Sequence, residues 1–313
     1  MSKFYKIKFH ATWNPYFDKE IISREDYRTA EEFKLIFNNS ENIYNNFLQI
    51  THNEDYDFLV CINIPRPDYI DKIDFKKTIM VYSEPKLVLK YWSEYWYKNE
   101  YWIQPPDNNF FRVFDTERHH SIVYPFVRYN DCSNIKKCVD SLTCILTKSY
   151  SFIGHIDRYD FLNKYLYKYD DLICFILNIN ESMCNEFLSE KKFKNIILTD
   201  LLMYSVYNYK YFFNSENCYQ PGYITEKLIS PIYSNTLTFY NGPDNVCDII
   251  DPIFYIKIDL RGEENRLKSY DTIKKAIRDK EWEKRIDIMD KRKHLIYKKF
   301  NIFNIIEKII KEG

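Results

Sequence analysis

The stretch YKYFFNSENCYQPGYITEKLISPIYSNTLTFY, residues 209–240, decides the fold. It begins with a short aromatic strand, Tyr209 to Phe213, and continues into a helix, Tyr223 to Tyr233. A second apolar strand, Thr236 to Tyr240, follows the helix. A strand, a helix and a strand in such close succession predict two parallel strands joined by a crossover helix.

A polar block follows the first of these strands and extends into the start of the helix, at residues 216–227. It places an amide, a phenol, a carboxylate and an ammonium group around the helix start, on Asn217, Tyr223, Glu226 and Lys227. Parallel sheets bind ligands at the carboxyl ends of their strands, and a helix N-terminus favours anionic groups. The block therefore suits a ligand that contains both a sugar and a pyrophosphate. A surface helix with an ordinary Glu-Lys pair is the alternative.

The same alternation of strands and helices extends over most of the chain. Strand-like runs occur at 4–9, 58–64, 78–82, 142–147, 172–177 and 254–258, and helix-like spacing at 25–37, 86–97, 157–167 and 198–207. From Asn265 onward the pattern is helical. Because 313 residues are many for one hydrophobic core,, we predict an α/β protein with two Rossmann-like domains facing a cleft and with C-terminal helices.

We predict an N-terminal domain of residues 1–138 and a C-terminal domain of residues 139–290. Residues 291–313 are predicted to form terminal helices that pack back across both.

Composition and charge exclude several classes of protein. Lys plus Arg and Asp plus Glu number 45 each, and this zero net charge argues against binding to nucleic acid or to an anionic membrane,. The sequence shows no leader and no apolar stretch of the roughly 18 residues that span a bilayer, so we expect a soluble, cytoplasmic protein. No glycine-rich phosphate motif occurs, which disfavours a kinase or a dinucleotide oxidoreductase.

Two candidate metal-binding patterns are weak. The eight cysteines are scattered without a C-x-x-C pair, which predicts buried, reduced thiols rather than a zinc site,. Asp55 and Asp57 have the Asp-x-Asp spacing with which some glycosyltransferases hold a metal-bound nucleotide, but they precede a strand instead of following one. We predict a solvated turn there.

The segment around the polar block resembles the donor-binding signature of α1,3-fucosyltransferases, glycosyltransferase family 10. The resemblance runs from Tyr209 through Glu216-Asn217 to the run Pro221–Lys227, and covers residues 205–260. One departure is Ser215, where the family has an aromatic residue before Glu-Asn.

The resemblance implies a GT-B fold, in which the N-terminal domain, 1–138, binds the acceptor and the C-terminal domain, 139–290, binds the nucleotide sugar GDP-fucose. It implies that Glu226 and Lys227 contact the ribose and the phosphates, and that Asn217 and Tyr223 line the donor. It further implies that Arg158 holds the pyrophosphate, for which a guanidinium fork is well shaped. A surface arginine bonded to acidic residues is the alternative.

By its position after the strand at 78–82 and before Pro85, Glu84 resembles the general base of the family. A carboxylate stabilised by the following helix is the alternative for Glu84. Trp13, after the first strand, is a candidate acceptor-binding residue.

The expected activity is that of an inverting fucosyltransferase, α1,3-type, with GDP-fucose as donor and a glycan or glycoconjugate as acceptor. The alternatives are transfer of another nucleotide sugar and a catalytically silent glycan-binding protein. No metal site and no cofactor are expected to be required, and a divalent cation would at most stimulate the reaction.

Overall fold

The structure, a computed structural model, describes residues 5–11, 47–51, 54–63, 65, 67–92, 110–115, 140–146, 151–177, 185, 193–199, 206–300 and 302–312. The chain divides into two compact units, one made of Met1–Val123 and Lys298–Gly313 and the other of Tyr124–Tyr297. The predicted domain boundary at residue 138 lies outside the described residues.

The first unit is built on a parallel sheet with the described strand order β2-β1-β3-β4-β5. Its strands are β1 (Tyr5–Ala11), β2 (Leu48–Ile50), β3 (Phe58–Ile62), β4 (Thr78–Tyr82) and β5 (Arg112–Asp115). Helix α1 (Lys86–Trp92) follows β4, and two 3-10 helices, Pro67–Lys72 and Phe75–Lys77, lie between β3 and β4. This is the flavodoxin-like order of doubly wound sheets, in which ligands bind where the order reverses, between β1 and β3.

Strands β3 and β4 lie in the core of the first unit. Both are continuous apolar runs, and Leu59 and Met80 have no exposed surface, as parallel strands covered on both faces require. The last helix of the chain, Ile302–Glu312, belongs to this unit and buries an apolar stripe. Within that stripe the Phe303 ring lies edge-on to Phe9 of β1, with centroids 5.8 Å apart.

The second unit is also built on a parallel sheet, with the described strand order β8-β7-β6-β9-β10-β11. Its strands are β6 (Leu142–Ile145), β7 (Leu172–Leu177), β8 (Ile196–Thr199), β9 (Tyr211–Ser215), β10 (Leu237–Asn241) and β11 (Tyr255–Lys257). This corresponds to the Rossmann order 3-2-1-4-5-6, whose reversal falls between the first and fourth strands, here β6 and β9.

The helices of the second unit and of the C-terminus complete the fold. In chain order they are α2 (Ile153–Lys164), α3 (Glu226–Tyr233), α4 (Val246–Ile249), α5 (Glu263–Arg278), α6 (Glu281–Phe300) and α7 (Ile302–Glu312), with 3-10 helices at Leu166–Lys168 and Pro252–Phe254. The prediction of an α/β protein with two parallel sheets and C-terminal helices is confirmed.

Most predicted elements occur within a few residues of their expected positions. The predicted start of the helix at 198–207 is wrong, because Leu198 and Thr199 belong to strand β8, Ile196–Thr199. Residues 200–205 lie outside the described residues, and Val206 is helical. The run Ile-Ile-Leu-Thr is rich in β-branched residues and pairs with β7 as an edge strand,. The helix predicted for 25–37 lies outside the described residues.

Candidate functional site

The reversal of strand order in the second sheet brings two chain segments together. Seven residues separate the end of β6 from the start of helix α2, and the segment Ser215-Glu216-Asn217 lies at the carboxyl end of β9. Since β6 and β9 are neighbours in the sheet, both segments lie at the edge where doubly wound folds bind their ligands. We call this place the switch-point site, defined by α2, the segment 215–217 and the start of α3.

The start of α2 contacts the segment after β9 through its backbone. Gly154 donates its N–H to the carbonyl oxygen of Asn217 at 3.0 Å. A Cβ atom at position 154 would lie 1.9 Å from the Glu216 carbonyl oxygen, so only glycine allows this approach. The His155 ring adds a side-chain contact, with Nε2 2.7 Å from Asn217 Oδ1.

Arg158 lies one turn further along α2 and is buried, with 8% of its surface exposed. Its Nη1 donates to the carbonyl oxygen of Ser215 at 3.3 Å. Burial lowers the pKa of the guanidinium, and the nearby Glu216 and Glu226 carboxylates act in the opposite direction,. Arg158 is thus a cation held inside the site by the segment that follows β9.

Glu216 is the buried anion of the site, with none of its surface exposed. Its carboxylate accepts hydrogen bonds from the Thr225 amide at 2.9 Å, the Thr225 hydroxyl at 2.8 Å and the Tyr240 hydroxyl at 2.8 Å. Burial raises the pKa of the Glu216 carboxyl, while Lys227 and the hydrogen bonds oppose that rise,. Glu216 ties the end of β9 to the beginning of α3.

Lys227 lies in the first turn of α3, for which Thr225 is the N-cap. The Thr225 hydroxyl oxygen accepts from the Lys227 amide at 3.3 Å,. The Lys227 ammonium lies 3.0 Å from Glu226 Oε1 and 3.7 Å from Glu216 Oε2, with 16% of its side chain exposed. The cation of Lys227 is therefore balanced by two carboxylates and retains access to solvent.

The structure thus groups four of the predicted donor-binding residues around the segment 215–217, namely Arg158, Asn217, Glu226 and Lys227. Tyr223, the fifth, has no exposed surface, and its contact with a donor stays a prediction.

His155 and Glu216 complete the group, and neither is among the site residues predicted from the sequence. Glu216 had one usable signal, because it directly follows a strand at the carboxyl edge of the sheet. His155 had no local signal of this kind, because its ring partner Asn217 lies 62 positions away in sequence.

Ser215, which departs from the resembled family, is buried in a polar network beneath the site. Its hydroxyl oxygen accepts from Asn241 Nδ2 at 2.8 Å. Asn241 also donates to the Tyr219 hydroxyl, which donates to Asp157 at 2.6 Å. Arg266 of α5 closes the network with a 2.7 Å ion pair to Asp157. The small Ser215 side chain leaves room for this connection between β9 and β10.

Glu84, the predicted base, lies in the first unit and follows β4 as expected. It is half-buried, and its amide donates to Asn63 Oδ1 at 3.1 Å. Trp13, the predicted acceptor-binding residue, lies outside the described residues. Glu54 and Asp55 are exposed and pair with Lys8 and Lys6, which agrees with the solvated turn predicted there.

Neither a metal-binding cluster nor a membrane-spanning helix occurs among the described residues. They contain no group of three or more His, Cys, Asp or Glu side chains that could hold a metal ion. Within the same ranges, no helix has the length and apolar character needed to cross a membrane.

Comparison with known proteins shows similarity at the level of fold. No protein-family profile matches the chain, and no curated protein sequence matches it. Among solved structures, Anabaena HepE in complex with UDP and glucose aligns with a TM-score of 0.53 at 8% identity, covering 98% of this chain and 99% of that one.

Two further structures align similarly. An α1,3-fucosyltransferase with GDP-fucose gives a TM-score of 0.50 at 14% identity, over 91% of this chain and 82% of that one. An α-glucosyltransferase with UDP and a 13-mer DNA gives 0.50 at 12% identity, over 84% of each chain. These likenesses, together with the two parallel sheets, establish the GT-B architecture.

Proposed function

We propose that the protein is an inverting glycosyltransferase that transfers L-fucose from GDP-fucose to a hydroxyl group of a glycan. The observation that carries the proposal is the grouping of Arg158, Asn217, Glu226 and Lys227 at the switch-point site. The GT-B architecture supports glycosyl transfer as the general reaction. The resemblance of residues 205–260 to the fucosyltransferase signature supports fucose as the sugar.

The charges of the site are suited to a nucleoside diphosphate. Arg158 and Lys227 are balanced by Glu216 and Glu226 in the structure. A diphosphate brings several oxygens with concentrated negative charge, and a guanidinium fork with an adjacent ammonium binds such oxygens well. We propose that both cations contact the diphosphate, while Glu226 accepts hydrogen bonds from ribose hydroxyls and Asn217 contacts the sugar.

The reaction follows from these roles. The acceptor hydroxyl oxygen attacks the anomeric carbon from the side opposite the diphosphate, and the bond from that carbon to the phosphate oxygen breaks. Glu84 takes the hydroxyl proton as general base. Arg158 and Lys227 stabilise the negative charge that develops on the departing GDP, and loss of one such contact typically costs about 10²–10³ in rate.

The test separates catalysis from donor binding. Glu84→Gln should abolish transfer while GDP binding survives, because the amide cannot accept the proton. Lys227→Ala should weaken GDP binding about tenfold or more, since it removes a charged contact. The measurements are GDP release from GDP-fucose with a glycan acceptor, and calorimetric titration with GDP.

Lys268→Ala is the matched control, because Lys268 is exposed on α5 and pairs with Glu264. Normal turnover in Glu84→Gln would remove Glu84 from the mechanism. Absence of nucleoside diphosphate release from every nucleotide sugar in the presence of a glycan library would leave the silent glycan-binding alternative.

The second candidate is transfer of a sugar from a UDP donor. HepE was solved with UDP and glucose and the α-glucosyltransferase with UDP, so the shared fold accepts more than one nucleotide. The zero net charge of this chain weighs against a DNA acceptor,. Calorimetry with GDP-fucose, GDP-mannose and UDP-glucose separates the donors, and a preference for UDP would replace fucose in the proposal.

We also propose that transfer proceeds without an added metal ion, because Arg158 and Lys227 can supply the charge that the diphosphate needs. GDP release should persist in EDTA, and Mg²⁺ should change the rate by less than about tenfold. Complete loss of activity in EDTA that Mg²⁺ restores would contradict this prediction.

A further inference from the structure

Asn63 has an unusual backbone conformation for its place in the fold. It directly follows β3, is buried with 1% of its surface exposed, and has a φ of 59°. The other non-glycine residues with positive φ in the described chain are Asn235 and Lys280, which both follow helices, where left-handed residues are common. Asn63 instead lies at the carboxyl end of a central strand, where such a conformation calls for a specific reason.

The side chain of Asn63 supplies that reason. Its Oδ1 accepts from the Ser83 amide at 2.9 Å, the Glu84 amide at 3.1 Å and the Ser83 hydroxyl at 3.2 Å. Its Nδ2 lies 3.0 Å from Ser83 Oγ. The backbone ladder between β3 and β4 ends at the pair Ile62 and Val81, so one side chain continues the connection to the two residues that follow β4.

The hydrogen bonds to Asn63 restrain the main chain at Ser83 and Glu84, and helix α1 restrains it at the residues that follow Glu84. Pro85 follows Glu84, and its carbonyl oxygen accepts the Leu89 amide in the first turn of α1. Proline has a restricted φ and no amide hydrogen, so it adds stiffness at this junction. The Cα–Cβ direction of Glu84 is therefore determined by Asn63 together with the start of α1.

We propose that Asn63 is a positioning residue for Glu84, acting through the backbone amides of Ser83 and Glu84. This inference rests on the proposed function, in which Glu84 is the general base. It also explains why an amide is suited to position 63. An aspartate could accept the same two amide hydrogens, but its negative charge beside Glu84 would raise the pKa of that base and keep it protonated at higher pH.

Two substitutions separate anchoring from charge. Asn63→Gly keeps the left-handed backbone available and removes the anchor, so kcat should fall about 10- to 100-fold, as expected for a displaced catalytic group. Asn63→Asp keeps the acceptor and adds charge, so the acidic limb of the pH profile of kcat/KM should move up by about one pH unit. GDP affinity should stay within about twofold of wild type in both.

Asn235→Gly is the matched control. Asn235 has the same backbone conformation, with a φ of 57°, but its side chain donates to Asp290 at 2.7 Å. Asn235→Gly should leave kcat and the pH profile of kcat/KM unchanged. Hydrogen exchange of the peptide that contains Ser83 and Glu84 should become faster in Asn63→Gly and stay unchanged in Asn235→Gly.

The outcomes distinguish the two levels of the proposal. If Glu84→Gln is inactive while Asn63→Gly keeps its kcat, or if Asn63→Asp leaves the acidic limb in place, the positioning role is wrong and the proposed function stands. If the wild-type protein releases no GDP from GDP-fucose with any glycan acceptor, the fucosyltransferase proposal fails and the catalytic role of Asn63 fails with it. In either case, hydrogen exchange of the peptide that contains Ser83 and Glu84 shows whether Asn63 restrains these two amides.

Discussion

At the scale of single residues, the switch-point site combines cations with buried partners that limit their freedom. His155 is an uncharged neighbour of these cations. Burial and the nearby Arg158 and Lys227 lower the pKa of its imidazole to about 4, so the ring is neutral at physiological pH. A neutral ring can donate from Nε2 to Asn217 Oδ1 and thereby hold the Asn217 amide in one orientation,.

The lowered pKa of His155 predicts a pH-dependent contribution to stability. The ordinary pKa of histidine is 6.5 and that of His155 is about 4, so between these values the unfolded chain binds more protons. The contribution of His155 to the free energy of unfolding is therefore complete above pH 6.5 and is lost as the pH falls towards 4,. We expect this loss to be about 1–2 kcal/mol, after allowing for partial exposure of the ring.

Thermal unfolding between pH 4.5 and 7.5 checks the His155 prediction. His155→Gln should reduce the loss of stability towards acid, whereas His294→Gln, at an exposed position on α6, should preserve it. Identical pH dependence in wild type and His155→Gln would contradict the prediction.

At the scale of elements, the close approach of α2 to the segment after β9 forms the site. Helix α2 carries Arg158, and α3 carries Lys227 on its first turn. The segment 215–217 connects the two helices, because Gly154 and Arg158 of α2 donate to the Asn217 and Ser215 carbonyl oxygens, and Glu216 bonds to the α3 N-cap Thr225. Displacing α2 should therefore affect both stability and nucleotide binding.

Gly154→Ala tests the importance of the close approach between α2 and the segment that follows β9. The added Cβ would meet the Glu216 carbonyl oxygen at 1.9 Å, which forces backbone to move and should cost about 1–3 kcal/mol. Chemical denaturation should show the lower stability, and calorimetry should show weaker GDP binding.

Gly262→Ala is the comparison for Gly154→Ala. Its φ is 82°, and no atom lies within 4 Å of the added Cβ. Gly262→Ala should lower the stability of the protein through backbone strain alone, without a comparable loss of GDP affinity. Equal GDP affinities in wild type and Gly154→Ala would show that the approach of α2 does not shape the site.

At the scale of the whole molecule, both units are doubly wound parallel sheets, but their strand orders differ. Each order defines its own edge for ligand binding, β1 and β3 in the first unit and β6 and β9 in the second,. The sheets also bury most of the described cysteines. Cys61, Cys144, Cys174 and Cys218 are buried, whereas Cys247 is exposed.

This distribution predicts selective thiol labelling. Burial raises the pKa of the Cys61 and Cys144 thiols, and both react only when the fold opens. N-ethylmaleimide should modify Cys247 about 100-fold faster than Cys61 or Cys144 in the native protein. Peptide mass mapping measures the rates, and denaturant should remove the difference. Rapid native labelling of Cys61 would show that the first sheet opens readily.

The sequence by itself determined the α/β class, most strand and helix positions and the block that contains Asn217, Glu226 and Lys227. It could do so because parallel strands leave continuous apolar runs, and helix starts and turns have local preferences in residue type. The edge strand β8 was missed, since a four-residue run carries too little periodicity to distinguish strand from helix.

Only the tertiary structure decided which distant residues share a site. Asn217 contacts His155, and Glu84 is anchored by Asn63, over separations of 62 and 21 residues. Such pairings depend on strand order, and strand order is set by packing over the whole sheet rather than by local pattern. For the same reason, the backbone approach at Gly154 and the left-handed conformation of Asn63 became visible only in the folded chain.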